Sequence, residues 1–376
     1  MASHFFRNLK ERADGPISER GLELMVCIAL ACWTFGQIVF VHSFVGGNSW
    51  VSENQIGYFH SAIAFGCLVA VLASRNFKLS PIAYILLFLL LFGALSVWRR
   101  KGDNTLLAIV LFVIAAHGMR LDRIIWWHAF SILAGIGCVV ILSMFPFIQN
   151  NLVTTHEVTV FSCGFGNLMI PAYFLLGVLS SLCLVVRGRR QCILLASACF
   201  VCAIFTFVVL DVLRAAVFML VFGAANLFCA LRPKLAASIS KHRLTPFAVV
   251  SLPIVLFLVG SDLANFFKLG GDLLAKGAYA HWVRTYGYVS TICLAVLFFG
   301  IALRRRVKDY RLQVFVVLAV YGLFLAFDPM PARLECNASL LLLTLGLSNR
   351  FFGEALNNKT TSQAQEGELE EVTQNA

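Results

Sequence analysis

The stretch LELMVCIALACWTFGQIVFVHSF, Leu22 to Phe44, carries a single charge, Glu23, along its whole length. Its apolar residues run on continuously instead of alternating with polar ones, which reads as helix and not as a half-buried strand. About 20 such residues cross the hydrocarbon of a bilayer as an α-helix. In lipid only helices and closed barrels satisfy their own backbone, so a continuous run of this length predicts a membrane helix. Similar runs recur as far as Leu347. They predict spans at 22–44, 56–74, 81–98, 105–118, 124–145, 166–186, 191–210, 213–231, 245–260, 284–303, 312–328 and 336–349. The fourth and the last are short enough to be re-entrant. The expected fold is therefore all-α, a polytopic integral membrane protein of about 12 transmembrane helices. A cytoplasmic segment, 1–21, precedes the membrane domain, 22–349, and a polar, acidic and disordered cytoplasmic tail, 350–376, follows it.

Composition agrees with this reading. The chain is 60% hydrophobic and 13% charged, about half the charge of a soluble domain. The first 21 residues are polar and basic and lack the apolar core of a cleavable signal, so the first span is expected to remain as an anchor. Most of the twelve cysteines lie inside apolar segments, as Cys27, Cys32, Cys67, Cys183 and Cys293 do, and there they act as small hydrophobes. Cys199 and Cys202 form a C-x-x-C within a span, with no second pair and no nearby His, so helix packing explains them better than a metal does. Neither a metal site nor a cofactor is expected. No nucleotide-binding or hydrolase motif stands in the sequence.

The net charge of +11 reflects basic loops and not a nucleic-acid partner. With the N-terminus inside, eight of the 30 Lys and Arg fall outside: Arg99, Arg100, Lys101, Arg214, Lys268, Lys276, Arg284 and Arg333. The other 22 fall on the cytoplasmic side, so both termini are expected in the cytoplasm. The larger outer loops are 146–165 and 261–283.

Charges on the outer side run against this bias and are the places to look for chemistry. Arg99 and Arg100 follow Trp98, and either anchor the third span at the headgroups or bind a phosphate or an acidic sugar. Asp211 and Arg214 sit where two apolar runs meet, spaced to pair as a salt bridge at i and i+3 of one helix or to contact substrate. His156 and Glu157 stand side by side in the first large outer loop, as an acid–base pair or as solvated neighbours. His281 and Arg284 lie in AYAHWVRTYG, an interface belt or a site. Arg333, Glu335 and Asn337 crowd PARLECNASL, a solvated loop or a polar cluster over a cavity. His60, His117 and His128 are read as satisfied packing residues.

The order of these segments resembles the Wzy-type O-antigen and capsular polysaccharide polymerase and ligase superfamily, including the polymerases of Gram-positive exopolysaccharide loci. NTLLAIVLFVIAAHGMRLDRII, Asn104 to Ile125, resembles its short fourth span and basic inner turn. FSCGFGN, Phe161 to Asn167, resembles its outer Ser-Gly-Phe motif. LDVLRAAVF stands where the family has Ser-Arg-Thr, which matches Arg214 to the family arginine. YAHWVRTYG, Tyr279 to Gly287, the YGLF at Tyr321 to Phe324, and Asn337 before a Leu run resemble its C-terminal pattern. Asn167, Leu168 and Met169 replace the His-Pro-Asn that follows the Gly-Phe motif, Lys276 and Gly277 replace Asp-Asn, and Leu325 replaces an acidic residue.

The resemblance implies a metal-independent inverting transfer on the outer face of a bacterial cytoplasmic membrane. A growing glycan leaves undecaprenyl pyrophosphate and joins a sugar hydroxyl of another lipid-linked oligosaccharide. Arginines would bear the pyrophosphate charge, Arg214 first and then Arg284, Arg333, Arg99 and Arg100, with Asp211 beside them. His281 and Glu335 are the candidate bases. The partners expected are the lipid-linked oligosaccharide, membrane lipid and other glycan assembly proteins. A transporter or flippase of a lipid-linked sugar, and a non-catalytic partner in a glycan assembly complex, remain as alternatives.

Overall fold

The computed structural model describes residues 19–45, 53–75, 81–145, 152–155, 158–242, 289–297 except Ala295, 311–324 and 333–344, with a few single positions between them. Its elements are α1 (Glu19–Gly36), continued by a π-helical turn (Gln37–Val41), then α2 (Glu53–Ser74), α3 (Pro81–Lys101), α4 (Thr105–Ala115) and α5 (Leu121–Met144). A hairpin, β1 (Leu152–Thr155) and β2 (Val158–Phe161), precedes α6 (Met169–Val185), α7 (Arg189–Val208), α8 (Leu213–Leu231) and α9 (Pro233–Lys241). α10 (Leu312–Phe324) and two 3₁₀ turns, Leu334–Cys336 and Ala338–Leu342, complete the described elements.

Among the described residues, five helices are long and apolar enough to cross a membrane: Glu19–Val41, Ala83–Lys101, Leu121–Met144, Arg189–Val208 and Leu213–Leu231. Their outward faces are apolar too, as at Phe88, Phe92, Phe130, Leu194 and Val201. A helix hydrophobic all round belongs in lipid and not in water. α4 has 11 residues, about 16 Å of helix at 1.5 Å per residue, roughly half a bilayer core.

The helical fold carries one short hairpin, in which β1 and β2 pair antiparallel, with Leu152 opposite Phe161 and Thr155 opposite Val158, inside the loop expected at 146–165. The segment expected as a last span from 336 opens as 3₁₀ turns. There Asn337 Oδ1 accepts from both the backbone N–H and the hydroxyl of Ser339, and such local side-chain bonds compete with a regular helix. The expected spans 245–260 and 284–303 fall largely outside the described residues.

The described residues divide into two compact units. The first draws on Met1–Asn76, Leu111–Leu231 and Met330–Leu341, the second on Phe77–Val110, Arg232–Pro329 and Leu342–Ala376. In the first, α1 packs on α2 and α5, α5 on α6, α6 on α8, and α7 lies along α8. Gly223 permits the last contact, since a Cβ there would reach Phe200 and Cys199 at 3.1 and 3.2 Å. In the second, α9 packs against α10.

One end of the first unit is basic. Arg123 pairs with Glu23 at 3.2 Å and Arg187 with Asp122 at 2.5 Å. Arg75 donates to the His117 carbonyl at 2.6 Å, a cation at the C-terminal end of α4 where carbonyls lack partners. The Glu23 pair sets the first turns of α1 and α5 level, and the Asp122 pair brings the end of α6 to the same place. Asn226 Nδ2 donates to Cys183 Sγ at 3.0 Å, so the end of α8 lies beside the end of α6. The ends of α1, α5 and α7, and the starts of α6 and α8, therefore point to the opposite end.

Candidate functional site: a buried His–Glu–Arg cluster

At that opposite end, Ser162 to Phe165 make a tight turn. Phe165 N–H donates to the Ser162 carbonyl at 3.0 Å, with Cys163 at φ +49° and Gly164 at +82°. Positive φ at both central residues is the mark of a mirror-image turn, which favours glycine. Gly164 is also sterically required, since a Cβ would stand 2.7 Å from Ile148 and 2.9 Å from Val139. Its carbonyl accepts from Phe44 N–H at 2.9 Å, and Ser43 bridges Phe165. The Ser-Gly-Phe motif thus docks the chain onto the end of α1.

The π-helical turn before this dock aims His42. Its N–H donates to the Gln37 carbonyl at 3.0 Å, the wider i→i−5 bond of a π turn. The His42 ring meets Phe174 edge-on, with centroids 5.6 Å apart. Nε2 lies 3.3 Å from Glu335 Oε1 and 3.3 Å from an Arg333 guanidinium nitrogen. Arg333 also approaches Glu335 Oε1 at 3.7 Å. The His42 and Glu335 side chains are 8% and 2% exposed, while that of Arg333 is 38% exposed. Nε2 has room for one proton. With it, the ring donates to Glu335; without it, the ring accepts from Arg333.

The turn that carries Glu335 is held from below. His128, fully buried in α5, donates from Nε2 to the Leu334 carbonyl at 2.9 Å, and its Nδ1 lies 3.0 Å from the Ser181 hydroxyl. Gly177 in α6 leaves space for the Cys336 carbonyl, which would stand 3.0 Å from a Cβ there. Burial pushes the Glu335 carboxyl up, but the His42 hydrogen bond and the charges of Arg333 and His42 outweigh it and hold it below the usual carboxylate range. This turn lies outside the five candidate spans. Glu335 is therefore an ionised anchor, better suited to orient and charge-balance His42 than to take a proton itself.

Of the residues singled out from sequence, Arg333 and Glu335 meet in this cluster. Asp211 lies outside the helix that carries Arg214. Asp211 takes φ +54° between α7 and α8, a left-handed residue that ends α7, so the two never share a helical turn. Arg214 is exposed on the first turn of α8, at the same end of the unit as the cluster. Arg99 and Arg100 occupy the last turn of α3, in the second unit, and are exposed there. His281, Arg284, His156 and Glu157 lie outside the described residues. His42 escaped the sequence reading, hidden at the polar end of an otherwise apolar run; its signal is a His–Ser pair closing the first span.

Among the described residues no group of three or more His, Cys, Asp or Glu is arranged to hold a metal. The twelve cysteines carry free thiols. Comparison with family models, with curated proteins and with solved structures gave no match.

Proposed function

We propose that the protein is a membrane glycan polymerase that joins undecaprenyl-pyrophosphate-linked oligosaccharides on the outer face of a bacterial cytoplasmic membrane. About 12 spans, with both termini in the cytoplasm, complete the proposed topology. The observation that carries the reading is the His42–Glu335–Arg333 cluster, at the end of the first unit away from its basic end. The positive-inside bias makes the basic end cytoplasmic and the cluster external.

The chemistry follows from these groups. His42 Nδ1, which has no hydrogen bond among the described residues, accepts the proton of the acceptor sugar hydroxyl. The acceptor oxygen bonds to the anomeric carbon of the donor from the opposite side. The bond from that carbon to the pyrophosphate oxygen breaks, and the electron pair leaves with polyprenyl pyrophosphate. Nε2 already carries the ring's own proton and donates to Glu335, so that carboxylate balances the new imidazolium, and Arg333, which then has no acceptor on the ring, turns its donors to the leaving charge. Arg214, exposed at the same end, is the second arginine proposed for the pyrophosphate, and Arg99, Arg100 and Arg284 remain proposed contacts for the substrate. This division moves the base from Glu335 to His42.

A transporter is the second reading, favoured by the burial of charge among helices at a span end. Lipid-linked glycan profiles from cells that lack the chromosomal copy separate the two. His42→Gln and Arg333→Lys should leave protein level normal and shift glycan from long chains to single units on the outer surface. Single units retained inside would favour transport. Wild-type chain lengths from both variants at normal protein level would end the proposal.

A further inference from the structure

We infer that α9 is an interfacial helix that binds the anionic headgroup layer of the membrane. It begins at Pro233, two residues after Leu231, the last residue of the candidate span α8. Chain connectivity alone therefore starts it at a membrane surface. Proline at the first helical position suits that start, because its missing N–H would have no partner there. The sequence from Arg232 to Arg243, RPKLAASISKHR, holds four Lys and Arg and no acidic residue.

The helix shows three distinct faces. Ala236 and Ser240, small and four residues apart, are buried, and α10 is a described neighbour of α9 in its unit. Leu235 and Ile239, also four apart, are 52% and 38% exposed. Lys234 and Lys241, seven apart and so on a third stripe, are exposed as well. In water, the exposed Leu and Ile pair is unfavourable. At a bilayer surface that pair enters the boundary of the acyl chains, and the lysines extend to the headgroups. A face combining apolar side chains with unopposed cations is complementary to an anionic lipid layer and not to a neutral protein surface. This inference does not depend on the proposed enzymatic reading.

Amide hydrogen exchange on the full-length protein in nanodiscs tests it. Phosphatidylcholine alone is compared with phosphatidylcholine plus phosphatidylglycerol. Exchange across 234–241 should slow several-fold when phosphatidylglycerol is present, and added salt should reverse this. K234E/K241E should abolish the lipid effect while exchange in α5 and α6 stays unchanged. If that variant fails to insert, the wild-type comparison between the two bilayers still decides. Equal exchange in both bilayers, or a lipid effect that survives charge reversal, would overturn the inference.

Discussion

The two ends of the first unit use the same ionic chemistry under different conditions. At the basic end, Arg187 and Asp122 meet in the open, with side chains 61% and 44% exposed. At the other end Glu335 is 2% exposed and its partner His42 8%. An exposed pair gains little, because water screens it and two flexible side chains must be ordered. A buried pair is costly to bring out of water, and removing one partner leaves the other charge stranded. Distance therefore does not rank these contacts. The shortest pair, Arg187–Asp122 at 2.5 Å, should matter less than His42–Glu335 at 3.3 Å.

The largest effect expected is the loss of one buried partner. His42→Ala should destabilise the detergent-purified protein by about 1–3 kcal/mol, the usual cost of leaving a buried group without its hydrogen-bond donor, since Arg333 still faces the carboxylate. The same change in a Glu335→Gln background should cost much less, because no carboxylate is stranded. Thermal unfolding of the two single variants and the double variant measures the coupling. Additive effects would place the cluster in the same class as the surface pairs and break the comparison.

Acid should pull the two ends apart as well. Glu335 is held below its unfolded value, so its ionised form adds stability at pH values above the ordinary carboxylate range. That contribution is lost as the pH falls through the lower folded value. The melting temperature of wild type should therefore decline through and below the ordinary carboxylate range, while Glu335→Gln should lack that part of the decline. Parallel acid limbs in the two proteins would contradict the assigned charge state.

The smallest effect expected belongs to the basic end. Arg187→Ala should change stability by less than about 1 kcal/mol, and added salt should shrink the difference further. A larger loss would mean that Asp122, in the first turn of α5, depends on this arginine for more than a surface contact.

Much of the helical layout was legible from the sequence. Helices stand where the spans at 22–44, 81–98, 124–145, 191–210 and 213–231 were expected. The sequence also marked Arg333 and Glu335, because charge packed into a short segment among apolar runs is visible in one dimension. It did not mark His42, whose partner lies 293 positions away. Nor did it show that Asp211 leaves the helix, because i and i+3 spacing implies a shared helix only if the backbone stays helical. The left-handed turn at Asp211 follows from how α7 must reverse into α8.

The sequence by itself determined the helices, their apolar faces and the concentration of positive charge in certain loops. The physical reason is that hydrophobic length and charge are local properties that lipid reads span by span. Only the tertiary structure decided which charges are buried together. Burial of Glu335 requires the π-helical turn after α1, the docked Ser162–Phe165 turn, the His128 bond to Leu334 and the gap at Gly177 all at once. Each of these is ordinary alone, and the energy of a desolvated charge appears only when distant segments close around it.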